Sequence, residues 1–382
     1  MEVRPLLVGL VLGSTLLAGA CTTAPRKDPS LAELRLSWQQ VALPDPLSAV
    51  TLAVDGSPLL VGADGPGRPR PHLLSLTPSG NLSEVPLTPR SPYAFEGRWL
   101  QVITRGGHVD AIAGARGGAH GNYRWTTWSG TDADVAEQEQ PFGVFGSYGA
   151  GDLAGMAYAG ESPVVLGAWQ SDRTGLDIAL WSRSGDRWTR QRSTGTPLAS
   201  TAEELVSAAA ISSRGDGLIL SGSVTRLAPG SVGVEPAIWT SPDGDGPWTR
   251  VDFPFTEPPN SGPVQAQAAT CSRQLCLVTG TAGGRVTLWE VSGNTISQPA
   301  GIPDVVVPEN ADVLAPVVVG EDVLVIAPSG SGSAVLRRSG ATWSVGAGPD
   351  GTPVSAAAHG DELWVVTTNA PGKGTLARAR LP

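Results

Sequence analysis

Short apolar runs alternate with clusters of glycine, proline, serine and aspartate from residue 36 to the end of the chain. Between these clusters no segment carries apolar residues at helical spacing over about ten positions, so the pattern predicts β-strands joined by tight turns. One unit recurs six times: an apolar strand end, a turn centred on glycine, and a second strand that often opens with tryptophan. The turn glycines lie 47 to 59 residues apart and are Gly80, Gly130, Gly185, Gly244, Gly293 and Gly340.

Two further apolar segments precede each full copy of the unit, which gives four strands per repeat. In the third repeat these segments read DLAGMAYAG and SPVVLGAWQS, ahead of DIALWSRSG and RWTRQRS. A period near 50 residues with four strands per unit is typical of the blades of a β-propeller. The predicted fold class is therefore all-β, and the repeats belong to one closed ring.

The two ends of the repeat region predict how the ring closes. Residues 354–382 supply three strands of a seventh blade and no fourth, whereas Leu36–Pro44 (LSWQQVALP) resembles a fourth strand that has no blade of its own. Because open sheet edges invite aggregation, we expect this segment to pair with the last three strands. The prediction is a seven-bladed β-propeller closed by an N-terminal strand. The alternative is six blades with the C-terminal tail packed against them.

The first residues have the pattern of a bacterial export signal. Arg4 precedes an apolar stretch, Pro5–Leu17, that is too short to span a bilayer as a stable helix. The following LLAGAC resembles a lipobox, although Ala18 stands where leucine is commonest. This resemblance implies that Cys21 becomes the lipidated first residue of the mature protein. An ordinary secretory signal, cleaved near AGA, is the alternative.

These features predict three segments: a lipoprotein signal peptide over residues 1–20, a tether over 21–35, and a single β-propeller domain over 36–382. The expected location is extracytoplasmic, anchored to the cell membrane through Cys21. The net charge of -9 argues against a nucleic-acid partner, because phosphate binding needs a Lys/Arg-rich face. We expect a monomer.

The remaining two cysteines predict a disulfide. Cys271 and Cys276 lie in ATCSRQLCLV, where two apolar strand segments flank a four-residue connection. Opposed positions of a hairpin bring Cβ atoms near disulfide distance. The alternative is a metal site, but it would need two more ligands, and the nearest histidine, His359, is far along the chain. No metal or cofactor is predicted.

One copy of the repeated turn carries a family resemblance. The segment SPDGDGPW, Ser241–Trp248, resembles the Asp-box of sialidase-like (BNR-repeat) propellers through Ser241, Asp243 and Trp248, whereas Asp245 stands where glycine is usual. In that family the box is structural: the aspartate bonds backbone groups of the turn and the tryptophan packs in the blade. The other tryptophans at repeated positions are expected to be packing anchors as well.

The catalytic residues of a sialidase are not recognisable in this chain. The family's F/Y-R-I-P motif is missing from the first blade, and the nucleophilic tyrosine lies late in that family. Here the four tyrosines fall in the second and third repeats, at Tyr93, Tyr123, Tyr148 and Tyr158. No catalytic residue is therefore assigned.

Other candidates for a site lie in turns. Another glycosidase would need two carboxylates at the channel mouth, but a solvated turn explains each candidate: Asp55, Asp152, Glu161, Glu203, Glu204, Asp312, Glu321, Asp361 and Glu362. His108 precedes the glycine-rich stretch GARGGAHGN and His120 lies within it; we expect this stretch to be a flexible loop. The segment Gly222–Pro236 is the longest insertion within a blade, and it is the expected contact region, since loops on rigid scaffolds often carry recognition.

The favoured hypothesis is a non-enzymatic, lipid-anchored binding or assembly module at the cell envelope, with an unidentified protein or glycan partner. The alternative is a glycoside hydrolase or lyase that acts on an extracellular polysaccharide. The lining of the central channel discriminates between them. Two carboxylates about 5–10 Å apart would favour the enzyme, whereas serine, alanine, threonine and glycine would favour the binding module.

Overall fold

The computed structural model describes residues 31–56, 58–67, 70–117, 121–253, 262–272, 275–330, 332–370 and 372–382. The predicted signal peptide, Cys21, most of the predicted tether and His120 lie outside these residues. Ala32–Pro382 forms one compact unit. None of the described helices is long and apolar enough to cross a membrane.

Seven sheets form the blades of the ring; each has four antiparallel strands, and two of the sheets carry a fifth, parallel strand at the outer edge. The strands ahead of the first blade are β1 (Ala32–Glu33) and β2 (Gln39–Val41). Blade 1 contains β3 (Ser48–Ala53), β4 (Leu60–Asp64), β5 (Pro71–Leu76) and β6 (Leu82–Val85). The connection to blade 2 contains β7 (Leu87–Thr88) and the short helix α1 (Pro92–Phe95).

The next two blades flank a short 3-10 helix, Phe142–Val144. Blade 2 contains β8 (Arg98–Arg105), β9 (His108–Gly117), β10 (Asn122–Thr131) and β11 (Asp134–Gln138). Blade 3 contains β12 (Ala150–Ala159), β13 (Ser162–Gln170), β14 (Leu176–Ser184) and β15 (Arg187–Arg190).

The remaining blades follow the same order. Blade 4 contains β16 (Glu204–Arg214), β17 (Gly217–Ala228), β18 (Ser231–Ser241) and β19 (Thr249–Asp252). Blade 5 contains β20 (Val264–Cys271), β21 (Leu275–Ala282), β22 (Arg285–Ser292) and β23 (Thr295–Ser297). Blade 6 contains β24 (Val317–Val319), β25 (Asp322–Ser329), β26 (Gly332–Ser339) and β27 (Thr342–Ala347). Blade 7 contains β28 (Thr352–His359), β29 (Glu362–Thr368), β30 (Gly374–Arg380) and β2.

The ring has two unlike faces. The first strand of every blade lines the central channel, and the antiparallel order places the first-to-second and third-to-fourth connections at one end, which we call the turn face. Connections there are mostly short, such as Gly106–Gly107 between β8 and β9. The opposite end, the loop face, carries the second-to-third connections and the longer links between blades, such as residues 139–149.

The N-terminal strand closes the ring, as predicted. Strand β2 pairs antiparallel with β30, with Gln39 opposite Arg378 and Val41 opposite Leu376. The structure therefore has seven blades, and the six-blade alternative is wrong. Strands β1 and β7 were not predicted; they pair in parallel with the outermost strands of blades 6 and 2. Both cover edges that would otherwise be open.

Tryptophan side chains join each of several blades to the connection before it. The indole Nε1 of Trp181 donates to the carbonyl of Val144 at 2.8 Å, and that of Trp239 donates to the carbonyl of Pro197 at 2.9 Å. These bonds satisfy the two buried indoles and fix blades 3 and 4 against the links that precede them. The predicted packing anchors are all buried: Trp181, Trp188, Trp239, Trp248, Trp289 and Trp343.

Blade 4 corrects one expectation. Gly222–Pro236 is not a loop but the distal part of a regular hairpin, in which β17 and β18 pair as far as Ala228 opposite Ser231. The glycine and proline that suggested a loop occupy the two-residue turn, where Gly230 has a φ of 80°. The valines and threonines around them favour strand.

The predicted disulfide is present. Cys271 and Cys276 lie directly opposite each other in β20 and β21 and are bonded.

We predict that loss of β2 destabilises the whole ring. A chain beginning at residue 44 should lose at least about 3 kcal/mol of unfolding free energy relative to one beginning at residue 31, because it loses the ladder to β30 and the packing of Val41 and Leu43 on blades 7 and 1. A chain beginning at residue 36 is the matched control, since it loses β1 and keeps β2. Equal denaturant midpoints for the two truncations would contradict closure by β2.

Candidate functional site

The central channel offers little reactive chemistry. Its cavity, of about 460 Å³, is lined by the ends of all seven first strands near the turn face, mainly by small and aliphatic side chains such as Ala157, Ser212 and Ala357. Asp55 is the one carboxylate among the described lining residues, and it accepts a hydrogen bond from the Gly106 amide at 2.9 Å. Two opposed carboxylates are therefore not found in the described lining.

The tyrosine at the channel wall is part of a buried cross-link. The Tyr158 hydroxyl donates to the carboxylate of Asp110 at 2.9 Å, and Arg183 pairs with the same carboxylate at 2.5 Å. Burial, followed by the Asp110 charge and hydrogen bond, raises the pKa of Tyr158 far above its usual value. The phenol stays protonated at neutral pH and joins blades 2 and 3.

The turn that resembles an Asp-box makes local hydrogen bonds. The Asp243 carboxylate accepts from the amides of Asp245 and Gly246 at 2.9 and 3.0 Å, and these bonds lower its pKa. The Ser241 hydroxyl accepts from the amides of Gly244 and Gly246, and Trp248 is buried. In this chain these three side chains build and cover the turn.

Most of the other candidates have local partners. Glu204 pairs with Arg226 and Arg250, which lower its pKa. Asp312 accepts from Gln267 at 3.2 Å, and burial raises its pKa. Three candidates are exposed at turns (Glu161, Glu203 and Glu321), and two more pair with arginines (Asp361 and Glu362).

The described histidines and cysteines do not assemble a metal site. His108 is exposed in β9, where its carbonyl accepts from Thr104. No group of three or more potential ligands comes together among the described residues.

The loop face of blade 2 contains a cleft that the sequence analysis did not identify. This cavity of about 360 Å³, the blade-2 cleft, lies between α1, the start of β10, and the link from β11 to blade 3. Its walls are largely aromatic, and a single arginine lies among the rings. The aromatic and cationic side chains that line it are Tyr93, Tyr123, Arg124, Trp125, Phe142 and Phe145.

A buried carboxylate fixes one wall of the cleft. Glu137 in β11 is 2% exposed. It accepts from the amides of Arg90 and Ser91 and from the Ser91 hydroxyl, each at 2.6 Å. The Ser91 hydroxyl in turn accepts from the Ala94 amide and caps α1. Three donors satisfy the Glu137 charge internally, so this carboxylate anchors α1 and is not presented to a ligand.

Two glycines make room for the rings. A Cβ at Gly117 would lie 2.3 Å from the Tyr93 ring, and one at Gly146 would lie 2.2 Å from the Phe142 ring. Gly117 is the last residue of β9, so the first part of the glycine-rich stretch is strand rather than the expected loop. In this stretch a glycine provides space for an aromatic side chain of the cleft.

Arg124 is the unusual group in the cleft. Its guanidinium carbon lies 3.7 Å from the ring centroid of Phe142 and 6.0 Å from that of Tyr93. Its Nε and Nη1 atoms are buried and have no hydrogen-bond partner, and no carboxylate of the described chain lies within 4 Å. An unpaired, partly buried cation costs free energy, so stability alone does not explain it.

A second group of charges lies beside the cleft on the loop face. Asp64 at the end of β4 is 6% exposed, and burial raises its pKa to about 6, against the lowering effects of Arg98, the Trp99 amide and His72. One of its oxygens is buried without a partner. We call Asp64, Arg98, Tyr123 and Asp152 the loop-face charge cluster.

Tyr123 connects the cleft to the charge cluster. Its ring lies 4.5 Å from that of Trp125. Burial raises the pKa of the Tyr123 phenol, Arg98 and Arg116 lower it, and Asp64 and Asp152 raise it. Asp152 was a sequence candidate, whereas Asp64 was missed because it follows an apolar strand and precedes glycine, as turn residues do.

We predict that Asp64 makes stability fall as pH rises. Because its folded pKa of about 6 exceeds the usual 3.8, its contribution is complete below pH 3.8 and is lost as pH rises through 6. Asp64→Asn should therefore exceed the wild type in unfolding free energy by up to about 3 kcal/mol at pH 7.5 and match it near pH 4. The exposed Asp152→Asn is the control in denaturant unfolding at both pH values. A pH-independent difference for Asp64→Asn would contradict the raised pKa.

Solved structures with similar backbones support the fold. The chain resembles the β-propeller domain of Cps50 (Swd1) from Myceliophteria thermophila, at a TM-score of 0.55 and 11% identity, with 91% of this chain and 100% of that chain covered. It also resembles the extracellular domain of a protein described as a hybrid two-component system from B. thetaiotaomicron, at a TM-score of 0.53 and 11% identity. The alignment covers 90% of this chain and 40% of that structure, so the chain spans less than half of its length.

A third similar structure is the β-propeller domain of the Trilobed protease from Pyrococcus furiosus, at a TM-score of 0.51 and 8% identity, with 87% of this chain and 95% of that chain covered. At such identities the likeness establishes the fold alone. No protein-family model matches the sequence, and no curated protein matches it either. The comparisons therefore identify the chain as a β-propeller without assigning an activity.

Proposed function

We propose that this chain is a binding module whose ligand site is the blade-2 cleft. The observation that carries the proposal is Arg124, a cation held among aromatic rings without an ion-pair partner in the described chain. Concave sites with apolar walls and a few convergent polar groups are typical of small-molecule binding. The cleft also lies on the loop face, where connections differ between blades and can specialise.

We further propose that the module is exported and anchored to the outer face of the cytoplasmic membrane by lipid on Cys21. The lipobox-like LLAGAC and the disulfide between Cys271 and Cys276 support this location, because disulfides persist in oxidising compartments. Kinship with Asp-box propellers is part of the same proposal. The hydrogen bonds of Ser241 and Asp243 support it.

The loop-face charge cluster favours a second candidate, a glycoside hydrolase or lyase acting on an extracellular polysaccharide. A carboxyl group with a pKa of about 6 suits general acid catalysis, and Arg98 and Tyr123 lie within its electrostatic reach. Asp64→Asn would then abolish release of reducing ends from a polysaccharide panel. We favour binding because Asp64 is 6% exposed, which limits its contact with a substrate.

Removing one wall of the cleft tests the binding proposal. We expect some compounds of a metabolite and oligosaccharide library to raise the melting temperature of the wild type. Phe142→Ala should weaken the binding of these compounds roughly tenfold, because the contact with the ring is lost. Phe95→Ala is the matched control: the two rings are 49% and 50% exposed, and Phe95 lines a different cavity. Equal effects of the two substitutions on every compound would rule out the cleft as the binding site.

Lipidation is tested separately. A fatty-acid probe supplied to the expressing bacterium should label the wild type and not Cys21→Ser, and the variant should move from the membrane fraction to the soluble one. Labelling that persists in Cys21→Ser would overturn the anchor.

A further inference from the structure

We infer that the ligand of the blade-2 cleft is a ring-bearing carboxylate whose anionic group pairs with Arg124. This inference rests on the proposed binding function and names its ligand class.

The charge of the ligand follows from the charges of the cleft. Arg124 contributes a permanent positive charge, and two of its guanidinium nitrogens have no partner. Two carboxylates line the cleft: buried Glu137 already accepts from three donors of Arg90 and Ser91, and exposed Glu139 makes no ion pair with Arg124. An anionic ligand would satisfy the cation that the protein leaves unpaired.

A carboxylate fits better than a phosphate. Phosphate sites gather several cations or amides at a helix N-terminus or a glycine-rich turn, whereas this cleft offers a single guanidinium. A guanidinium edge presents planar donors that match a planar carboxylate in charge and shape. The Phe142 ring covers the guanidinium face at 3.7 Å, and Nε and Nη1 are buried, so an incoming carboxylate meets the edge of the guanidinium at Nη2.

The walls of the cleft indicate the rest of the ligand. Phe142 covers one side of the guanidinium, and Tyr123 and Trp125 form a tilted aromatic pair with ring centroids 4.5 Å apart. Flat rings of this kind offer large apolar contact to another ring. A cavity of about 360 Å³ accommodates one ring and its carboxylate, which places the ligand at the small end of the usual range.

Two series of matched probes test the inference on the full chain by calorimetry. The first compares phenylacetate with its neutral amide, and the second compares glucuronate with glucuronamide. We expect the carboxylate to bind at least roughly tenfold more tightly than its amide in one or both series, since a charge-assisted pair replaces a neutral contact. The series that responds distinguishes an aromatic acid from an acidic sugar.

The variants Arg124→Met and Arg124→Lys test whether Arg124 causes the preference for the carboxylate over the amide. We expect Arg124→Met to weaken binding of the carboxylate roughly ten- to hundredfold and binding of the amide less than about threefold. Arg124→Lys should have an intermediate affinity for the carboxylate, because it keeps the charge without the planar edge. Arg190→Met is the matched control, since this exposed arginine lies over Trp169, outside the cleft.

The melting temperature separates binding from structure. The wild type holds an unpaired cation, so Arg124→Met should melt no lower than the wild type while it loses the carboxylate. A lower melting temperature for Arg124→Met would overturn the inference, because it would give Arg124 a structural role. Equal binding of acid and amide, or no binding in either series, would also overturn the inference. The library comparison of Phe142→Ala with Phe95→Ala tests the binding function independently of these probes.

Discussion

Closure of the ring by Gln39–Val41 is the constraint on which the other structural features depend. Without β2, blade 7 has three strands and β30 becomes an open edge. The first strands of the seven blades then lose the fixed arrangement that defines the channel. The indoles of Trp181 and Trp239 donate hydrogen bonds to the links that precede their blades, and these bonds fix the position of each blade relative to the one before it. Each blade is thus positioned by its neighbour, and the chain ends position the first and last blades.

The two faces use this scaffold differently. At the turn face, the charged groups near the channel are held by hydrogen bonds within the ring, as the Asp55 bond to Gly106 and the pairing of Asp110 with Tyr158 and Arg183 illustrate. At the loop face, Arg124 and one oxygen of Asp64 are buried without hydrogen-bond partners. A buried polar group without a hydrogen-bond partner costs free energy. Such groups are enriched at sites where a bound ligand or a proton removes that cost. Buried polar atoms without partners also lie near the turn face, such as Nδ1 of His359 and Nε1 of Trp248. Arg124 differs from them because it carries a permanent charge without an ion-pair partner, and this charge directs attention to the loop face.

The repeated parts of the fold were predictable from the sequence, and the site was not. Turn glycines and apolar runs recur with the blades, and the unmatched strand near Trp38 indicated the closure. The cleft depends on features that occur once. Arg124 and Trp125 lie in YRWTTW, which reads as an ordinary strand. Only the folded chain brings α1 and residues 142–146 against them, where Gly117 and Gly146 leave room for the rings.

The blade-2 cleft is built from one continuous stretch of chain, from Ser91 to Gly146. Its helix, its glycines, its arginine and the carboxylate that anchors the helix all come from this stretch. Recognition is therefore local to blade 2: the side chains that line the cleft could change while Asp110, which bonds Tyr158 and Arg183 of blade 3, keeps the blade in the ring. Propellers with the same architecture could diverge in ligand by altering this single cassette, while the sequence signals of the fold stayed the same.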